Sequence, residues 1–353
     1  MAARNPLAGL RVGYAPYSPG LDKPGDRRRF AYYARSRNIP FEIADPARSY
    51  DLVVVTENAD ISVWSRYGEG KARIVYDLID SYLAIPRSNL KGRLRGLAKF
   101  VSRQNRYPRL DHWRAIENMC RRADAVVCTT EEQQRDISKF CANVHMILDI
   151  HTTVARAVKN DYAAGPVFKL VWEGLASNVE SLYVLREVLQ AVGAKHPTSL
   201  NLVTDPEYFR YLRRYGRRRT ADFARKLCKD FALHEWNERS CSHIICGCDL
   251  AVIPLDLDDP FAAGKPENKL LLFWRMGMPA VVSATPAYAR AMQSAGLGMA
   301  CRSSDDWQRV LERYIVDAGA REDAGRRGKH YADSSFSEEQ LLSRWDVLFA
   351  SLF

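Results

Sequence analysis

No stretch of this 353-residue chain approaches the roughly 18–20 consecutive apolar residues that would cross a bilayer as a helix. Its first residues, MAARNPLAGL, lack the apolar segment of a secretory leader. There is no long-period repeat and no low-complexity tract. The eight cysteines are scattered among apolar residues, which fits reduced thiols in a cytosol rather than a disulfide framework. What remains is a globular chain. With 47% hydrophobic residues it can bury a large core and is expected to form two domains. A formal charge of +10 points to an anionic partner, although Lys and Arg also populate ordinary solvated faces.

The first half alternates short apolar runs with helical patterns. Leu10–Ala15, Phe41–Ile43, Asp51–Thr56, Ala72–Leu78, the run ADAVVCTT and Asn143–Ile150 read as strands. Asp26 is placed to cap the helix that follows the first loop, and Thr130 to cap the helix EEQQRDISKF in a capping-box arrangement with Gln133. This is the βαβ rhythm of a parallel, doubly wound sheet. Between Leu90 and Arg106 the pattern changes, because six Lys or Arg and no acid accompany an apolar stripe at helical spacing. That segment reads either as a basic amphipathic helix lying on an anionic surface or as a core-packed helix with a solvated face.

After a linker at 158–166 the rhythm restarts. Strands are expected at Phe168–Trp172, Leu200–Thr204 and Phe231–Glu235, with helices at Glu180–Val192 and Tyr208–Lys229. The stretch from Cys248 to Ser283 then reads strand, loop, helix, strand. Pro266 suits the first position of its helix and Gly277 its end, while Leu270–Trp274 are apolar all round. The polar first turn, Glu267, Asn268 and Lys269, therefore points past the end of a strand. In an open α/β sheet ligands bind there, and a helix N-terminus with a Lys suits a phosphate. Gly174, between strand and helix, is placed for the same purpose.

Two such halves with an amphipathic C-terminal helix resemble the GT-B fold of nucleotide-sugar glycosyltransferases. Within it they resemble the retaining, family-four-type superfamily (glycosyl transferases group 1). The matching elements are VWEGLASN, LHEW, CDLAVIPL, ENKLLLFWRMGMP and AVVS, with IVYDLIDSYL and ADAVVCTTE as looser matches in the first half. The resemblance implies an α/β chain of two Rossmann-like domains facing a cleft. An acceptor-side domain would span 1–157, a nucleotide-sugar domain 158–335, and residues 336–353 would form a helix packing back on the first. It also departs from the family. Leu272 stands where a ribose-holding Glu is usual, Gly264 replaces the earlier Glu of that pair, and Ile79 replaces the His before Asp80.

Under this resemblance a nucleotide sugar is the donor, with no further cofactor and no metal. The acceptor is a cell-envelope glycan or a lipid-linked one. Stabilising the departing diphosphate is then the largest chemical need. Lys269 and Asp80 are the catalytic candidates. Gly174, Asn178, Trp236, Pro254, Lys265, Glu267, Asn268 and Lys269 are expected to bind the donor, and Asp22, Asp26 and His151 to face the acceptor. Each also has a plain structural reading, such as turn-capping for Asp80, a favourable helix start for Glu267 and a core position for His151. The pair Asp256 and Asp258 reads as a solvated loop rather than a metal-binding DxD, and Cys241, His243, Cys246 and Cys248 do not converge as zinc ligands. The Arg run at 210–219, with 90–106, could hold the protein peripherally against an anionic membrane face. Nucleic acid is disfavoured because no known module accompanies the run. Competing readings are a catalytically lapsed GT-B binding protein and a GT-B sugar-nucleotide epimerase.

Overall fold

The computed structural model describes residues 6–68, 72–86, 106–107, 111–211 and 215–353. The basic segment 90–106 falls outside them except for Arg106, as do residues 212–214 of the Arg run. The chain divides into two compact units. The first comprises Met1–Ile150 with Glu338–Phe353, and the second His151–Ser337.

The first unit holds a six-stranded parallel sheet. Its strands are β1 (Val12–Ala15), β2 (Glu42–Ile43), β3 (Leu52–Thr56), β4 (Arg73–Asp77), β5 (Ala125–Cys128) and β6 (Val144–Met146), in the order β2-β1-β3-β4-β5-β6. Runs such as LVVVT and AVVC are buried at every position, the signature of strands covered on both faces. Thr130 caps the helix Glu131–Ile137 by accepting from Gln133 N at 3.1 Å, and Gln133 Oε1 reaches back to Thr129 N at 2.8 Å. Asp26 does not cap. It lies inside the short helix Pro24–Arg28, whose N-cap is Lys23. The C-terminal helix Glu338–Ala350 packs on Phe30–Ser36 within this unit. Trp345 and Phe349 stack on Tyr33, and Arg37 pairs with Glu339 and Asp346.

The second unit repeats the architecture. Its strands β7 (Phe168–Glu173), β8 (Thr198–Val203), β11 (Phe231–His234), β12 (Leu250–Ile253), β13 (Ala280–Ser283) and β14 (Ala300–Cys301) form a parallel sheet ordered β11-β8-β7-β12-β13-β14. The helix Asn268–Arg275 ends at Gly277, whose φ of 67° favours glycine. Gly277 N bonds Trp274 O and Met278 N bonds Phe273 O, the paired closure of a Schellman motif. Gly328, in the helix Ala318–Ser335, lets that helix lie directly on Trp274, where an added Cβ would come within 2.3 Å of the indole.

Pro266 precedes the N-cap Glu267 instead of opening the helix, and two expected helices of this unit also come out differently. Residues expected as a helix from Tyr208 to Lys229 instead form a hairpin of β9 (Glu207–Tyr211) and β10 (Tyr215–Arg219), and only Thr220–Leu227 is helical. So many arginines leave no apolar stripe for a helix to bury, whereas Tyr208 at a strand position buries its ring. The helix expected at Glu180–Val192 begins as a 3₁₀ stretch, Ala176–Leu185, and becomes α-helical only over Arg186–Lys195. Ala176, Val179, Leu182 and Leu185 are all buried, and a strict period of three matches the 3₁₀ turn.

Candidate functional site

In the second sheet the strand order reverses between β7 and β12, since β8 and β11 lie to one side and β13 and β14 to the other. Carboxyl ends of strands at such a reversal leave a crevice for ligands. The chain leaves β7 through Glu173 and Gly174, and the helix Asn268–Arg275 brings Lys269 to this turn in its first turn. Lys269 Nζ donates to Glu173 O at 2.7 Å and lies 4.8 Å from the Trp172 ring centroid, a cation–π distance. Gly174 makes room for it. A Cβ there would lie 2.3 Å from Lys269 Nζ and 3.0 Å from the buried Trp172 ring. The turn is pinned by Thr204 Oγ1, which donates to Gly174 O at 2.6 Å, and by Gly174 N, which bonds Val203 O. Trp236 Nε1 donates to Glu173 Oε1 at 3.0 Å, so the end of β11 is tied to the same turn.

Three predicted donor residues, Gly174, Lys269 and Trp236, thus converge through Glu173. The remaining donor candidates lie on neighbouring elements of the same unit. Lys265 lies 4.4 Å from the Phe261 ring centroid. Glu267 is the N-cap residue and Asn268 the first residue of the helix, and both are half-buried. Pro254 is buried directly after β12, where Leu255 N and O both bond Ser283 Oγ. Asn178 is exposed in the 3₁₀ stretch. Leu272 is 1% exposed inside the helix's apolar face. Asp258 N bonds Asp256 Oδ1, so that pair closes a local turn. Glu173, Trp172 and Thr204 were missed, and the one signal for them was their place at strand ends.

In the first unit the reversal lies between β1 and β3. Asp26 is fully buried there and accepts from Tyr14 Oη, Tyr17 N and Ser18 N at 2.9–3.1 Å, so its carboxylate organises the loop after β1. Asp22 is exposed, and the hydrogen bond from Ser18 Oγ at 2.5 Å holds its carboxyl below the usual range. Asp80 is half-buried, and Glu57 accepts its backbone N–H at 2.8 Å. His151, at the start of the second unit, is 1% exposed.

A network that the sequence did not announce joins the strand ends of this first sheet. Arg29, fully buried, donates to both oxygens of Asp77, to Asp149 and to Ile147 O at 2.6–3.0 Å. Burial opposes the guanidinium charge, but Asp77 and Asp149 outweigh it and hold the group protonated well above its ordinary range. Tyr17 Oη donates to Asp77 at 3.1 Å, and burial followed by the Asp77 charge pushes that phenol up.

No family model matches the sequence, and no curated protein matches it. Solved structures do match. TarM aligns at TM-score 0.60 and 11% identity, covering 84% of this chain and 54% of TarM, so the chain spans about half of that protein's length. Anabaena HepE in complex with UDP aligns at 0.61 and 11% identity, over 97% of this chain and 100% of HepE. WaaG, a glycosyltransferase involved in lipopolysaccharide biosynthesis, aligns at 0.56 and 14% identity, over 96% and 99%. The fold is GT-B. Its two six-stranded Rossmann-like sheets are those expected from the sequence. Among the described residues no helix is long and apolar enough to cross a membrane.

Proposed function

We propose that this GT-B chain is a glycosyltransferase that moves a sugar from a nucleotide-sugar donor to a cell-envelope glycan or lipid-linked acceptor. One observation carries the reading: at the strand reversal of the second sheet, the Lys269 ammonium is seated in the turn that Gly174 opens. As the glycosidic bond breaks, negative charge develops on the departing diphosphate. A fixed ammonium beside the N-terminal turn of a helix stabilises that charge more than it stabilises the ground state. Lys265 adds a second cation, Asn268 and Glu267 offer hydrogen bonds to the ribose, and Trp236, Pro254 and Asn178 border the nucleotide. Asp80 orients the sugar or acceptor, Asp22 and His151 serve as further acceptor contacts, and Asp26 acts by holding the loop. Because HepE was solved with UDP, uridine diphosphate is the first nucleotide to test.

The transfer is read as retaining and as needing no metal, with support from the family resemblance alone. The protein is placed in the cytoplasm, where nucleotide sugars are made. Thermal unfolding in the presence of UDP and a panel of UDP-sugars tests the donor site. Saturable stabilisation of about 2.7 kcal/mol at a hundredfold excess over Kd is expected, and Lys269→Met should weaken binding. Absence of a shift with every nucleotide diphosphate would sink the proposal. The anomeric configuration of the product tests retention.

Leu272 favours a second reading, in which the chain binds a nucleotide without transferring its sugar. Where the resemblance expects a ribose-holding Glu, an aliphatic side chain is buried in the core. Turnover of any bound nucleotide sugar, even slow hydrolysis, would eliminate that reading.

A further inference from the structure

The candidate site contains a carboxylate that the transfer reading leaves without a task. Glu173 closes β7 and is 7% exposed, and its Oε1 accepts from Trp236 Nε1 at 3.0 Å. Trp236 is itself held, because its backbone N–H bonds Thr204 O. Oε2 makes no hydrogen bond or ion pair with any described residue, yet it reaches solvent from a residue that is otherwise buried. Two buried carboxylates of the first unit differ, since Asp26 and Asp77 each have both oxygens hydrogen-bonded. Asp249 also has an open oxygen, but it precedes β12 and so lies at the opposite, amino edge of the sheet.

Glu173 and Lys269 do not neutralise each other. The ammonium takes the carbonyl of residue 173 and sits over the Trp172 ring, and successive residues of a strand point to opposite faces. The carboxylate therefore lies on the other face. Its tie to Trp236 draws it toward β8 and β11, whereas Lys269 arrives from the helix after β12. A ligand lying across the end of β7 meets a cation on one side and a hydrogen-bond acceptor on the other. An ionised carboxylate only accepts, so the group it takes must be an O–H or N–H donor. In a nucleoside diphosphate the donors nearest the phosphates are the ribose hydroxyls, and the N–H groups of the base lie beyond them.

We infer that Glu173 Oε2 accepts a ribose hydroxyl of the bound nucleotide, with the diphosphate against Lys269 and the nucleoside toward β8 and β11. The indole N–H of Trp236 holds the carboxylate in place, so the acceptor is fixed before the ligand arrives. This inference rests on the donor reading.

Calorimetric titration of the full chain tests it. UDP, ADP and GDP are compared first, and the tightest is then set against its 2′,3′-dideoxy analogue. The wild type should bind the dideoxy nucleotide about 10-fold or more weakly, the worth of a hydrogen bond to a charged acceptor. Glu173→Gln keeps the side chain's length and its acceptor for Trp236 but replaces the open oxygen by an amide donor. It should lose a similar factor for the ribonucleotide and bind the two nucleotides within about twofold of each other. Inorganic pyrophosphate, which has no nucleoside, should bind the variant at least as tightly as the wild type. An equal loss for pyrophosphate would mean that Glu173 only holds the turn, and would overturn the inference. Equal binding of the two nucleotides by the wild type would do the same, as would a Glu173→Gln protein that still discriminates like the wild type. If none of the nucleotides binds the wild type, the donor reading fails and takes the inference with it. If one binds and its discrimination does not depend on Glu173, the inference fails alone.

Discussion

Gly174→Ala is the most economical perturbation of the candidate site, because the geometry states what the added methyl group must displace. The new Cβ would lie 2.3 Å from Lys269 Nζ, against an ordinary contact of 3.4 Å or more, so the ammonium has to retreat by about 1 Å. That breaks its 2.7 Å bond to Glu173 O and takes it off the Trp172 ring. The lysine is flexible and yields cheaply. The Trp172 ring, 3.0 Å from the new atom and 1% exposed, does not. Overpacking of that kind costs ~1–3 kcal/mol of stability. If Lys269 meets the diphosphate as proposed, its displacement removes a charged hydrogen bond, which costs ~1.5–3 kcal/mol of binding, about 10- to 150-fold in Kd. Calorimetric titration with UDP measures the second effect and urea unfolding the first. Gly165→Ala serves as the control, since nothing lies within 4 Å of its added Cβ. If the Gly174→Ala substitution acts through the lysine, then combining it with Lys269→Met should change UDP affinity little further. Full, additive losses in the double variant would refute the argument, as would a Gly174→Ala protein that binds UDP as tightly as wild type.

Arg29→Met strands two carboxylates in the first unit, and removing one partner of a buried pair costs ~3–5 kcal/mol. Hydrogen exchange should show that loss in the β1 and β4 amides, with the second unit's sheet unaffected; a loss below ~1 kcal/mol would mean that the network is not a stability element. Burial pushes the thiols of Cys120, Cys128, Cys248 and Cys301 up to about 12, and those of Cys228 and Cys246 to about 11. At about pH 7.5 their thiolate fractions are then ~10⁻³ or less, against ~10% for an ordinary cysteine, so iodoacetamide should label the native chain slowly and all eight cysteines quickly in denaturant. Rapid native labelling of Cys120 or Cys128, followed by mass spectrometry, would contradict that burial.

What could be read in advance was what depends on near neighbours. The strands LVVVT, AVVC, LAVI and AVVS announce themselves because both faces of a parallel sheet demand apolar residues, and the Thr130 cap and the Gly277 stop need only four or five residues of context. The 3₁₀ stretch was legible in principle, since Ala176, Val179, Leu182 and Leu185 carry its period, but a search tuned to 3.6 residues per turn passes over it. Arg29 was not legible at all. Its partners Asp77 and Asp149 lie 48 and 120 residues away, and an Arg in the run RRR looks like any solvated cation. Gly174 lies between these cases. Its place between strand and helix suggested a turn that lets a phosphate approach, whereas the structure shows a more specific need: any side chain there would evict Lys269 and press on Trp172. The glycine and the lysine are 95 residues apart, so neither explains the other until the sheet order brings β7 beside β12. The site is therefore a property of the strand reversal. A substitution that moves β12 relative to β7, however far from any ligand, should weaken nucleotide binding in the same way as one that removes the lysine.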